Sequence, residues 1–160
     1  MDDAEREIAR LLARNPELRI KGDYAKDVGA TAPIPSEHDS QVLVVAWVDA
    51  HENVYPDLAM FTAHPLGGYR PMSAAKSIRA EGARAGLPDM AIYSPRRNRH
   101  TGQTYHGLFI ELKKGDRSNK PTAEQRAWLD RLTAQGYLAV VCFGHQEAIE
   151  TIKHYLDMER

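Results

Sequence analysis

A chain of 160 residues, 42% hydrophobic and 27% charged, has room for one domain with a real core and too little for two, and its composition is that of an ordinary soluble globular protein. No apolar run approaches the ~18 residues of a membrane span, and the acidic, amphipathic N-terminus does not look like a signal peptide, so an intracellular location is expected. The net charge of −1 is not, taken whole, a nucleic-acid signature, and the one cysteine, Cys142, excludes an internal disulfide and reads as a small core residue.

In chain order, residues 3–14 read as a short amphipathic helix with Ala4, Ile8, Leu11 and Leu12 on one stripe, ended by Asn15-Pro16. The stretch 16–35 carries Gly22, Gly29, Pro33 and Pro35 without a clear period and reads as a linker or extended arm, so residues 1–35 are set apart from a domain of 36–160. Ser36 with Asp39 three residues on starts a helix that runs to Val48, and it places Glu37 and Gln41 on one face. Residues 58–63 read as a first strand. Pro56-Asp57 just before it reads as a turn. A glycine- and proline-rich loop from His64 to Pro71 follows, without the pattern of a nucleotide-binding loop, and then a helix over 73–81 capped by Ser73 and stopped by Gly82.

The remaining elements carry the chemistry. Gly86-Leu87-Pro88-Asp89 opens the apolar run Met90-Ala91-Ile92-Tyr93, and after a long basic loop comes Leu108-Phe109-Ile110-Glu111-Leu112-Lys113. A strand has a side-chain period of two, so Glu111 and Lys113 share one face while Leu108, Ile110 and Leu112 suit a buried layer on the other. That arrangement leaves the charged pair at an edge or in a cleft, because burial without a partner or metal is costly. A polar loop then leads to a helix from Thr122 to about Gly136. Thr122 with Gln125 forms a capping box there, and Trp128, Leu129 and Leu132 form the buried stripe. Residues 138–143 read as a central strand, and 146–157 as a closing amphipathic helix.

Two carboxylates and a lysine on neighbouring strands suit metal-dependent phosphodiester hydrolysis. Mg²⁺ takes one or two carboxylates, waters and substrate phosphate, and a cation relieves the repulsion between paired carboxylates. Lysine then orients the attacking water or neutralises charge on the phosphate. The seven histidines show no zinc-like pairing, and His106 reads as a structural residue.

From residue 36 to 156 the sequence resembles the virus-type replication-repair nucleases (VRR-NUC) of the PD-(D/E)XK superfamily. The resemblance rests on Ser36-Glu37-His38 with Gln41, Pro65 with Gly67-Gly68-Tyr69-Arg70, Lys76 through Glu81-Gly82 to Gly86-Leu87-Pro88-Asp89, His106 through Lys113, Gln125 with Trp128, and Gly136-Tyr137. Leu66 departs from the asparagine frequent in stand-alone phage members. The resemblance implies a restriction-endonuclease-like α/β fold with a small mixed sheet flanked by helices. It implies Mg²⁺ or Mn²⁺ held by Asp89, Glu111, the Leu112 carbonyl and Glu37, with Lys113 acting on water and Gln125 close to the site. It also implies a homodimer cutting branched DNA such as four-way junctions. Nuclease action on ordinary duplex and a DNA-binding module with a vestigial site are the alternatives.

Charge is unevenly spread. Between Ser94 and Arg131 nine Lys and Arg accompany four Asp and Glu, a local +5 that leaves −6 for the remainder. Arg96, Arg97, Arg99, Lys114, Arg117 and Lys120, with Arg70 from the earlier loop, are therefore the expected DNA-binding residues, and Lys76, Arg79 and Arg84 serve either phosphate or solvent.

Overall fold

The computed structural model describes residues 34–64 and 80–160. The predicted helix over 3–14, the arm up to residue 33, the loop containing Arg70 and nearly all of the helix over 73–81 lie outside the described residues. Helix α1 (Glu37–His51) starts where Ser36 accepts a hydrogen bond from the Asp39 N–H at 3.1 Å, and it runs one turn beyond the expected Val48. Among its buried residues Ser40, Leu43, Val44, Trp47 and Val48 recur at three and four and form one stripe toward the core, with Ala46 buried beside it.

The expected strand over 58–63 is shorter than the sequence suggests. Pro56–Met60 form a 3-10 helix with proline at its start, and strand β1 is only Phe61–Ala63. Proline's fixed φ and the Leu58 N–H bonded to Tyr55 O favour the tight turn, which keeps Leu58 buried. Strand β2 (Met90–Ile92) follows, then a ribbon of β3 (Arg96–Arg97) and β4 (Thr104–Tyr105) inside what the sequence marks as a loop. Strand β5 (Leu108–Lys113), helix α2 (Ala123–Ala134), strand β6 (Leu138–Phe143) and helix α3 (Gly144–Leu156) complete the chain.

The main sheet has the order β1-β2-β5-β6, antiparallel except for the parallel pair β5/β6. Among the described strands β6 is therefore at an edge, not central as its continuous apolar run suggests. The run is explained by cover on both faces, since α2 packs on one side of it and α3 on the other. Leu108, Ile110 and Leu112 of β5 join Met90, Ile92, Val44, Trp47, Ile152 and Tyr155 in the larger core under α1 and α3. Phe109 and Ala91 point the other way and pack with Leu132, Trp128 and Tyr137 at α2. The fold is the mixed α/β arrangement expected, a four-stranded sheet flanked by helices.

Helix α2 is seated against the loop that leads into β2. The Trp128 indole N–H donates to Ala85 O at 2.9 Å, so Trp128 serves packing. Gly86 has φ +84°, and a Cβ there would lie 2.7 Å from the Glu124 carbonyl carbon and 2.9 Å from Gln125 N. Only glycine permits both the conformation and the approach. Gly86→Ala is expected to cost roughly 1–3 kcal/mol by urea denaturation, through strain and displacement of α2.

Candidate active site

Register brings the carboxylates together. Met90 faces Ile110 and Ala91 faces Phe109 across β2 and β5, so one step further Asp89 falls opposite Glu111. Directly opposed residues have Cβ atoms about 5 Å apart. The Asp89 carboxylate accepts the Leu112 N–H at 2.8 Å, continuing the strand pairing through a side chain. Both carboxylates share the α2 face of the sheet with Lys113, two residues beyond Glu111.

Glu111 and Lys113 are not at an open edge. They are 0% and 5% exposed, and they meet the cost of burial by pairing: Lys113 Nζ lies 2.6 Å from Glu111 Oε1 and 3.2 Å from Leu112 O. Glu37, at the start of α1, brings its carboxylate to 3.9 Å from Lys113 Nζ and accepts a hydrogen bond from the Asn119 side chain. Gln125 completes the group. Its Oε1 accepts the Thr122 N–H at 2.8 Å, while its Nε2 donates to Glu111 Oε1. The capping box thus fixes the direction of the amide, and the same side chain that caps the helix also reaches Glu111. Gln41, one turn further along α1 from Glu37, makes no hydrogen bond to this group among the described residues.

Electrostatically the site is under load. Burial first, and then the Asp89 charge, raise the Glu111 carboxyl to about 7 against the help of Lys113. Burial likewise raises Asp89, opposed by the Leu112 N–H and Lys113. Glu111 Oε2 is buried without a hydrogen-bond partner. A buried, unsatisfied carboxylate oxygen beside a second carboxylate is where a hard cation is stabilised.

The VRR-NUC domain profile matches residues 36–146. The chain belongs to the VRR-NUC family. A solved structure, described as a VRR_NUC domain protein, is 26% identical, with a TM-score of 0.60 over 78% of this chain and 91% of that one. No curated protein matches the sequence. This VRR-NUC domain is therefore nuclease-type, and among the described residues no helix is long and apolar enough to cross a membrane.

In this VRR-NUC domain the donor set fits Mg²⁺ or Mn²⁺. Two carboxylates and a backbone carbonyl are hard oxygen donors, and no group of three or more His, Cys, Asp or Glu forms a metal cage among the described residues. A cation bound by one or two carboxylates needs no such cage, because water and phosphate complete its shell.

The basic residues divide. Arg96 is a correction to the expected DNA-binding set: it is 4% exposed, its guanidinium bonds the Asp57 carboxylate, and it donates to Ser94 Oγ at 2.9 Å and Pro95 O at 2.8 Å. The β3–β4 ribbon turns alternate residues in and out, and Arg96 is the inward one. Arg97 and Arg99 stay exposed and reach Glu159 at 3.8 and 3.4 Å. Arg117 is exposed, pairs with Glu147 at 2.9 Å and lies over Phe143 at 4.2 Å; Lys114 pairs with Asp116 at 2.8 Å. Exposed pairs of this kind are worth little and yield readily to phosphate. Lys120 and Arg84 are exposed, and Arg70 lies outside the described residues. A cleft of about 190 Å³ lined by Val54, Tyr55, Asp57, Arg96, Leu156 and Arg160 contains none of the carboxylate group.

Sequence reasoning missed two residues here. Asn119 holds Glu37 and also accepts the Lys114 N–H at 3.3 Å, and nothing in the polar loop distinguished it. His64 packs at the Pro88-Asp89 turn, 24 residues away in sequence, and nothing in the loop that it opens distinguished it.

Two expected results follow from the site. Gln125→Glu keeps a capping residue but replaces the donor to Glu111 with a second carboxylate beside it, so stability at neutral pH is expected to fall by roughly 1–3 kcal/mol and cleavage at least about tenfold. A folded pKa raised above the unfolded one means that Glu111 ionisation opposes folding, so its contribution is lost as pH rises from about 4.5 to about 7. Mn²⁺ held between the carboxylates would remove that load. It is expected to raise Tm by roughly 5–10 °C at a hundredfold excess over Kd at pH 8, and by clearly less at pH 5.5, in thermal scans.

Proposed function

We propose that the chain is a divalent-metal-dependent endodeoxyribonuclease of the PD-(D/E)XK type that hydrolyses phosphodiester bonds in branched DNA. The observation that carries the reading is the buried, unpartnered Oε2 of Glu111 opposite Asp89, with the Lys113 ammonium 2.6 Å from the other oxygen. Asp89, Glu111, the Leu112 carbonyl and Glu37 would hold Mg²⁺ or Mn²⁺. The ion supplies an acidified water and a polarised phosphoryl oxygen. Lys113 uses one N–H on Glu111 and one on Leu112 O, and it presents the third to the attacking water or the phosphate. Gln125 holds Glu111 Oε1, which would leave Oε2 available to the ion. Arg97, Arg99, Lys114, Arg117 and Lys120 contact the DNA backbone.

Branched DNA and a homodimeric state come from the resemblance to stand-alone phage-type members. Cleavage of labelled four-way junction, flap, linear duplex and single strand under equal conditions tests the substrate. Preferential junction cutting is expected; equal cutting of linear duplex makes the enzyme restriction-type, and binding without cutting any of them makes it a binding module.

A further inference from the structure

The strand pairing that sets Asp89 against Glu111 extends one strand further. Phe61 faces Ile92 and Ala63 faces Met90, so His64, the residue after β1, falls opposite Asp89. His64, Asp89 and Glu111 form a row across three strands on one face. His64 grips the turn at two points. Its backbone N–H donates to Asp89 O at 2.7 Å, and Nδ1 lies 2.7 Å from Pro88 O. A carbonyl only accepts, so Nδ1 carries the proton and Nε2 is left facing the Tyr93 hydroxyl at 3.4 Å. The ring is steadied by Phe109, stacked 6.4 Å away at 27°.

We infer that His64 is a positioning residue, a side-chain clamp from β1 that fixes the Pro88–Asp89 backbone and thereby aims the Asp89 carboxylate at the Leu112 N–H and the ion. Asp89 precedes β2, so ladder bonds alone leave its peptide free on the β5 side, where its side chain replaces a backbone acceptor. A residue in that position needs its backbone held from elsewhere. The second strand supplies the hold. A supporting residue of this kind, bonded behind a ligand, typically changes metal affinity 10–100-fold. The assignment of the ion rests on the nuclease reading; the clamp does not.

The Leu112 amide, bonded to Asp89 Oδ2, reports the clamp without metal. In ¹⁵N spectra of the metal-free full chain, His64→Ala is expected to shift the Leu112 resonance and speed its exchange about tenfold. His64→Asn, whose amide N–H starts where Nδ1 does, stays close to wild type, whereas His64→Gln, with the amide one bond further out, resembles His64→Ala. Mn²⁺ calorimetry is expected to show about tenfold weaker binding for His64→Ala and rescue by His64→Asn. An unmoved Leu112 amide in His64→Ala, or His64→Asn no better than His64→Ala and His64→Gln, overturns the clamp. Wild type that takes up no Mn²⁺ while its Leu112 amide still follows His64 supports the clamp and removes the metal reading instead.

Discussion

Asp89→Asn is expected to lower DNA cleavage by about three orders of magnitude, roughly 4 kcal/mol of transition-state stabilisation, while leaving the metal-free protein as stable as wild type or more so. The two effects have one cause. The asparagine Oδ1 can still accept the Leu112 N–H that Asp89 holds at 2.8 Å, so the strand pairing is kept. The charge is gone, and with it the second-largest influence raising Glu111, whose carboxyl then moves back toward the ordinary range. Asp89→Ala separates the contributions: it also loses the activity, but it leaves a buried N–H unpaired and costs about 1–3 kcal/mol. Cleavage assays with urea denaturation of the three proteins measure both axes. Equal loss of stability in the asparagine and alanine variants would contradict the account of a strained carboxylate pair.

Asp57→Ala is expected to cost about 3–5 kcal/mol, because it leaves the Arg96 guanidinium 4% exposed without its carboxylate. Arg96 ties the 3-10 helix to the β3–β4 ribbon and, through the Leu156 carbonyl at 3.4 Å, to the end of α3; Tyr155 bonds Ser94 O at 2.7 Å beside it. Replacing both partners, Asp57→Val with Arg96→Met, recovers most of the loss, since no charge is then left buried. The hydrogen bond and charge of Arg96 hold the Asp57 carboxyl below its usual range. Its stabilisation is therefore complete above the ordinary carboxylate pKa and fades as pH falls through the lowered one. Thermal scans across pH 3–7 measure this. The folded double variant is expected to keep the salt dependence of DNA binding, and removal of Arg97 or Arg99 is expected to reduce it.

Strand β5 was legible because its pattern is local. Alternation in Leu108–Lys113 fixed which residues share a face, and Pro88-Asp89 before an apolar run placed the second carboxylate. Turn chemistry was equally readable at Ser36 and Thr122, where the caps form as the spacing suggested. Three things were not legible. Charge count could not tell Arg96 from Arg97, since the direction of each depends on a two-residue ribbon that only tertiary contacts sustain. The partners of Asp57, Asn119 and His64 lie 39, 82 and 24 residues away, and single-sequence periodicity carries no signal over such separations. The apolar run of β6 misplaced the strand for a related reason: hydrophobicity records covered faces, not the number of neighbouring strands.

The most direct test of the central claim is cleavage of a labelled four-way junction by wild-type protein with Mg²⁺, with Mn²⁺ and with EDTA. Site-defined cuts with either ion and none in EDTA are the predicted result. Equal cutting in EDTA would contradict a metal centre at Asp89 and Glu111.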